Sequence, residues 1–237
     1  MPELVSYALD GPTATITMDD GKANAFSIPM LRAVHGAFDR AEDDDAVVIL
    51  TGRAGYFSAG FDLKVFAGDP RDVLEMLVLG ATLAERVLSF PRPVVVACSG
   101  HAYPAGAFLL LAADARIGVD GPFRIGLNEV RIGLTVPWFA IELARHRLHP
   151  AAFDRTVVNA TMYSPNDAVA AGFLDRVVAV DELAGAGAEA AATLAQLDPA
   201  AHVATKLRAR RAALEALRAA IETELTIEQF APGRSAP

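Results

Sequence analysis

Gly55-Tyr-Phe-Ser-Ala-Gly-Phe-Asp-Leu-Lys64 and Ser99-Gly-His-Ala-Tyr-Pro-Ala-Gly-Ala-Phe108 are two versions of one local design. Each follows a short apolar run, turns on small residues, and opens toward a helix. Such a turn leaves the first N–H groups of the helix without an intrahelical partner. Two of them on neighbouring strands can aim two N–H donors at one oxygen. That is the arrangement of an oxyanion hole, where one donor is worth about 3–4 kcal/mol of barrier height. Small residues at tight turns also serve plain packing, so the loops alone leave both uses open. Neither loop is a Gly-x-Gly-x-x-Gly or a P-loop, which withdraws support from hydride transfer and nucleotide hydrolysis.

The strands feeding these loops, Val47–Leu50 and Pro93–Ala97, are apolar without alternation, as expected of a sheet covered on both faces. Upstream, Val5–Met18 reads as a hairpin around Asp10-Gly11. Ser27 is placed to cap a helix with Pro29 in its first turn and Ile28, Leu31, Val34, Phe38 and Ala41 on one face. Strands and helices alternate to about Val180, which predicts an α/β core over residues 1–180. From Asp181 the chain turns rich in Ala, Leu, Arg and Glu, with Leu207, Leu214, Leu217, Ile221 and Leu225 at helical spacing. Residues 181–237 therefore read as two or three helices that pack on the core or on a neighbouring subunit. The last seven residues, Ala231–Pro237, are expected to fray. Pro93–Ala113 carries no Asp, Glu, Lys or Arg, yet Ser99, Gly100, His101, Pro104 and Gly106 make it a buried strand, turn and helix rather than a membrane span.

Composition narrows the partners. The 237 residues are 53% hydrophobic, enough for a substantial core, and carry a net charge of −8, which repels nucleic acid and anionic membrane surfaces. Cys98 is the single cysteine, so no intramolecular disulfide forms, and Met1–Asp10 lacks the features of a secretory signal. Both point to the cytoplasm. His35, His146, His149 and His202 show no metal-ligand spacing, and Ser58 lacks a Gly-x-Ser-x-Gly elbow. Metal catalysis and a serine nucleophile are therefore not expected.

Lys22-Ala-Asn-Ala25, Phe57-Ser-Ala-Gly-Phe-Asp-Leu63, Gly100-x-Ala-x-Pro-Ala-Gly106, Asp114-x-Arg-Ile117 and Ile125-Gly-Leu-Asn-Glu-Val130 resemble, in order and spacing, the motifs of the crotonase (enoyl-CoA hydratase/isomerase) superfamily. The resemblance implies a spiral of ββα units, a C-terminal helical region that builds trimers or dimers of trimers, and a coenzyme A thioester substrate with no separate cofactor. It implies an oxyanion hole made by the N–H groups of Phe61 and Ala105. A glycine is usual at Ala105, and the hole survives if the backbone there tolerates a Cβ. Ala23, Ala25, Ser58, Gly60, Asp62, Leu63 and Gly106 would border the thioester. Lys64 and Lys206 are candidates for its phosphates, against the plainer reading of solvated surface lysines.

Hydratases of this kind hold a water between two glutamates. Glu129 matches one, and Phe108 stands where the other would be. One carboxylate suffices for a different reaction, moving a proton from C2 to C4 of a 3-enoyl thioester through a dienolate. The motifs Ala102–Gly106 with no following Glu, Ile125–Val130 and Ile132–Trp138 resemble the monofunctional Δ3,Δ2-enoyl-CoA isomerase branch, which implies a place in fatty acid β-oxidation. A hydratase using Glu129 with a second, unidentified group is the alternative, and a non-catalytic acyl-CoA-binding protein is a further one. Phe61, Phe66, Phe108, Trp138 and Phe139 are expected to line the site or the core, and apolar surroundings would raise the pKa of Glu129. Asp62 is expected to cap a turn, Asp114 to end a helix and fix a strand, and His101 to be a neutral structural histidine.

Overall fold

Residues 3–226 are described by a computed structural model; the expected fraying of the terminal seven residues lies outside them. Three ββα units follow one another. They are β1 (Val5–Asp10), β2 (Thr13–Met18) and α1 (Ile28–Asp43); β3 (Val47–Gly52), β4 (Gly55–Ser58) and α2 (Pro70–Ser89); and β5 (Val94–Cys98), β6 (Gly100–Ala102) and α3 (Ala105–Ala112). After β7 (Ala115–Val119) come α4 (Trp138–Arg147), α5 (Pro150–Val157), α6 (Pro165–Ala171) and β8 (Arg176–Val178), then α7 (Leu183–Leu194), α8 (Pro199–Ala209) and α9 (Arg211–Glu224). The expected α/β spiral is present. β1-β2-β3-β5-β7-β8 form a six-stranded sheet, antiparallel only between β1 and β2, and β4 pairs with β6 in a separate two-stranded sheet.

The local signals act as their chemistry suggests. Gly11 turns the hairpin at a φ of +53°, and Ser27 accepts the Met30 N–H at the start of α1. The unbroken apolar strands are explained by two cores. Val48, Leu50, Val94 and Val96 point into the larger one, while Val47, Ile49, Val95 and Ala97 point into a smaller one roofed by Leu183, Ala186 and Ala191 of α7. The C-terminal helices thus pack on the sheet of their own chain, α7 over β3, β5 and β7, and α9 against α4 and α2. Leu214 and Leu217 are buried as the spacing predicts; Leu207 is not, being 41% exposed on α8. Among the described residues, no helix is long and apolar enough to cross a membrane.

One expectation is corrected here. Lys206 is neither a solvated surface lysine nor free to meet a phosphate. Its Nζ lies 2.7 Å from Asp114 Oδ2 and the residue is 5% exposed. Arg210 completes the cluster at 2.8 Å from Asp114 Oδ1, and the same carboxylate accepts the Val94 N–H at 2.8 Å. Asp114 lies between the end of α3 and the start of β7, as read from the sequence, but the strand its side chain holds is the earlier β5, through Val94, and it ties α8 and α9 to the same point.

Candidate active site

The two small-residue turns meet. Tyr103 donates its N–H to Ser58 O at 3.1 Å, and the first loop is braced from inside by Ser58, whose Oγ donates to Asn24 O at 2.7 Å and accepts the Gly60 N–H at 3.1 Å. Asn24 is fully buried at a φ of +50°, a backbone state that asparagine tolerates better than most residues. Its amide donates to Met18 O at 2.8 Å. The glycines serve close approach. A Cβ on Gly60 would stand 2.4 Å from Pro104 Cδ, and one on Gly106 would stand 2.8 Å from Ser58 O. Close packing of the two turns, one of the two uses left open by the sequence, is what these contacts display.

That geometry leaves two N–H groups over. Phe26 is bonded by the residues on either side of Phe61, donating to Gly60 O at 2.7 Å and accepting from the Asp62 N–H at 3.2 Å. A bridge of this kind turns the intervening Phe61 N–H to the opposite side. Its ring fits because α2 has Gly80 there; a Cβ would come 2.4 Å from the Phe61 ring. Ala105 opens α3 after Pro104, in the first turn, where N–H groups have no intrahelical acceptor. It does not have a positive φ, so the alanine Cβ costs no backbone strain. Neither N–H donates to a described residue.

Beside the loops lies a cavity of about 180 Å³, lined by Phe61, Leu63, Phe66, Leu77, Tyr103, Phe108, Leu134 and Leu225 among its apolar residues and by Asn128, Glu129, Thr135 and Glu224 among its polar ones. Glu129 reaches it from the segment after β7. Ile125 pairs with Tyr163 through two backbone bonds, of 3.1 and 2.9 Å, and Gly126 donates to Ala102 O at 3.2 Å, which stitches the segment to β6. The Glu129 carbonyl then accepts from Ile132 and Leu134, fixing a short 3-10 turn over Val130–Ile132.

The Glu129 carboxyl group is the chemical peculiarity of the cavity. It is 5% exposed, both oxygens lack a partner among the described residues, and burial pushes its pKa up to about 7. A carboxyl group held this way exchanges a proton readily near neutrality. Phe108 also lines the cavity, its ring 6.4 Å from that of Phe61 and 5.3 Å, edge to face, from that of Phe139. Among the described residues, no histidine or cysteine lines the cavity.

Other candidates are sorted by the same view. Phe61, Phe66 and Phe108 line the cavity; Phe139 stands behind them in the core, and Trp138 is 62% exposed outside it. Asp62 caps its turn, accepting the Lys64 N–H at 3.0 Å, and Lys64 is exposed. Ala23, Ala25, Ser58, Gly60 and Gly106 shape and border the first loop rather than line the cavity; the Ala23 carbonyl accepts from Ala59 at 2.9 Å. His101 accepts the Arg124 N–H at 3.0 Å, and burial lowers its pKa, as fits a neutral structural residue. Glu224, Leu225 and Asn128 were not singled out from the sequence as site residues. Asn128 had the best available signal, its place beside Glu129; Glu224 had none, because a Glu at a helix end looks like surface.

Comparison with known proteins agrees with this arrangement. A family model for enoyl-CoA hydratase/isomerase matches residues 10–231. A crystal structure of an enoyl-CoA hydratase/isomerase family protein from Pseudomonas syringae is similar at 52% identity and a TM-score of 0.92, covering 94% of this chain and 96% of that one. A Mycobacterium tuberculosis enoyl-CoA isomerase is similar at 41% identity and a TM-score of 0.90, covering 94% and 97%. The same mycobacterial protein also carries the description of a probable enoyl-CoA hydratase. A probable enoyl-CoA hydratase of Bacillus subtilis is 34% identical over 140 residues, 57% of this chain and 54% of that protein, so the match spans about half of the relative's length.

Proposed function

Since the chain belongs to the enoyl-CoA hydratase/isomerase family, we propose that it acts on coenzyme A thioesters and moves the double bond of a 3-enoyl-CoA to the 2 position. The observation that carries the reading is Glu129, a buried carboxyl group with neither oxygen bonded among the described residues, facing a cavity that Phe108 also lines; the family resemblance puts Phe108 where a hydratase would have its second carboxylate.

The thioester oxygen accepts from the N–H groups of Phe61 and Ala105. The Glu129 carboxylate takes the C2 proton; the C2–H electrons form a dienolate whose negative charge rests on that oxygen, stabilised by both donors. Glu129 returns the same proton at C4, and the double bond is left between C2 and C3. Proton removal and return need one base and a site that keeps water away from the dienolate, which the aromatic wall of Phe61, Phe66 and Phe108 supports. Ala23, Ala25 and the Ser58–Leu63 loop border the pantetheine and adenine, with exposed Lys64 near the phosphates. No cofactor is required. Assembly as a homotrimer or dimer of trimers goes with this reading and is read by mass photometry.

A second reading is water addition to a 2-enoyl-CoA, favoured by the presence of Glu224 as another carboxyl group on the same cavity. Label tracing separates the two. With deuterium at C2 of a 3-enoyl-CoA, the single-base shuttle delivers part of the label to C4 of the product. A product that never carries label at C4 contradicts it.

A further inference from the structure

Asn128 opens the 3-10 turn that follows Glu129, its carbonyl accepting the Ile132 N–H at 3.3 Å. An asparagine at such a place commonly turns its side-chain oxygen back onto a backbone N–H of the turn. Asn128 does not. Its Oδ1 is buried and has no partner among the described residues, and it lines the same cavity as Glu129. The two neighbours thus bring Asn128 Oδ1, Glu129 Oε1 and Glu129 Oε2 to one mostly apolar cavity, and none of these buried oxygens accepts a hydrogen bond from a described residue.

Buried acceptors are matched in nearly all folded proteins. A carboxyl group can answer burial by keeping its proton, whereas an amide oxygen has no such recourse at any pH. The acyl chain of an enoyl thioester carries no N–H or O–H to offer. What fits is a small molecule with two hydrogens to give, and a cavity of about 180 Å³ has room for it. We infer that Asn128 is a positioning residue that holds a water against the Glu129 carboxyl group in the free enzyme, the water donating one hydrogen to Asn128 Oδ1 and the other to a Glu129 oxygen.

The place beside the carboxyl group gives this water a task. A hydrogen bond donated to a carboxylate favours its charged form. Asn128, acting through the water, keeps Glu129 ionised at a lower pH than burial alone would allow. Burial is the cause that raises the Glu129 pKa. The other titratable groups on the cavity are Glu224, from α9, and Tyr103, from the second loop, whose own pKa is raised by burial so that it stays neutral. The water is independent of the reaction catalysed; its effect on turnover rests on the reading of Glu129 as the base.

A crystal structure of the ligand-free protein is expected to show a water within about 3 Å of both Asn128 Oδ1 and a Glu129 oxygen. Clear density for both side chains with no water joining them overturns the inference. Carbon-13 NMR of glutamate-labelled protein then reads the titration without substrate, the Glu129 signal being assigned by its loss in Glu129→Gln. Asn128→Leu is expected to raise the Glu129 midpoint by about one pH unit. A midpoint that falls, or stays within about 0.3 of the parent's, overturns the inference. With 3-enoyl-CoA, the acid limb of kcat/KM should move up with the NMR midpoint, while the plateau above it changes less than about threefold. A midpoint that moves in protein showing no turnover of any thioester supports the water and defeats the proposed reaction instead.

Discussion

Asp114 and Glu129 are both buried carboxyl groups, 15 positions apart in the chain, and they are treated in opposite ways. Asp114 is enclosed by Lys206, Arg210 and the Val94 N–H, so each oxygen is matched. Glu129 is buried as deeply with no partner on either oxygen among the described residues. The first arrangement holds helices α8 and α9 to the core. The second serves no structural end that the fold displays, and it leaves a proton acceptor with a pKa of about 7 facing a cavity. Burial alone does not mark a site; burial of an acid without partners does.

That contrast can be broken at four points. Glu129→Gln is expected to lower turnover about a thousandfold, with binding of saturated acyl-CoA changed by less than about threefold; steady-state rates and calorimetry check both numbers, and retained activity removes Glu129 from the mechanism. Asp114→Ala should cost about 3–5 kcal/mol, since it leaves Lys206 and Arg210 buried without their counter-charge; chemical denaturation reads this, and a loss under about 1 kcal/mol means the cluster is solvated. The sign reverses for Glu129. Its folded pKa lies above the ordinary value of 4.5, so the folded state binds more protons, and stability falls as pH rises from about 4.5 to about 7. Glu129→Gln escapes that penalty and should be more stable than the parent by up to about 3 kcal/mol near pH 8, with the gain gone near pH 4. Equal melting curves at both pH values argue that the carboxylate is hydrated. The smallest effect is on rate: kcat/KM should fall about tenfold per pH unit below about 7, as the base takes up its proton before the substrate arrives.

The sequence made legible whatever rests on neighbours along the chain. The Ser27 cap, the Asp10-Gly11 turn and the unbroken runs Val47–Leu50 and Pro93–Ala97 are local or periodic signals, and they describe the fold well. The two glycine-rich turns and Glu129 were visible as motifs, because close approach of backbone admits few residue types. What was hidden is long-range. Lys206 meets Asp114 across 92 positions, and Glu224 meets Trp138 across 86. Lys206 read as a surface residue because nothing in α8 announces a buried charge. Gly80 makes the space for the Phe61 ring across 19 positions, a fit that no pattern along α2 announces. The apolar face of α9 predicted its packing but not that its end closes the cavity.

A lone Glu129 base that moves a double bond, as proposed, has a spectroscopic signature. The absorbance of the conjugated enoyl thioester is followed once with 3-enoyl-CoA and once with 2-enoyl-CoA as substrate. Absorbance that rises with the first and stays flat with the second is the predicted result. Absorbance that falls with 2-enoyl-CoA means that water is being added, which contradicts the claim and makes Glu224 the first candidate for the missing second acid.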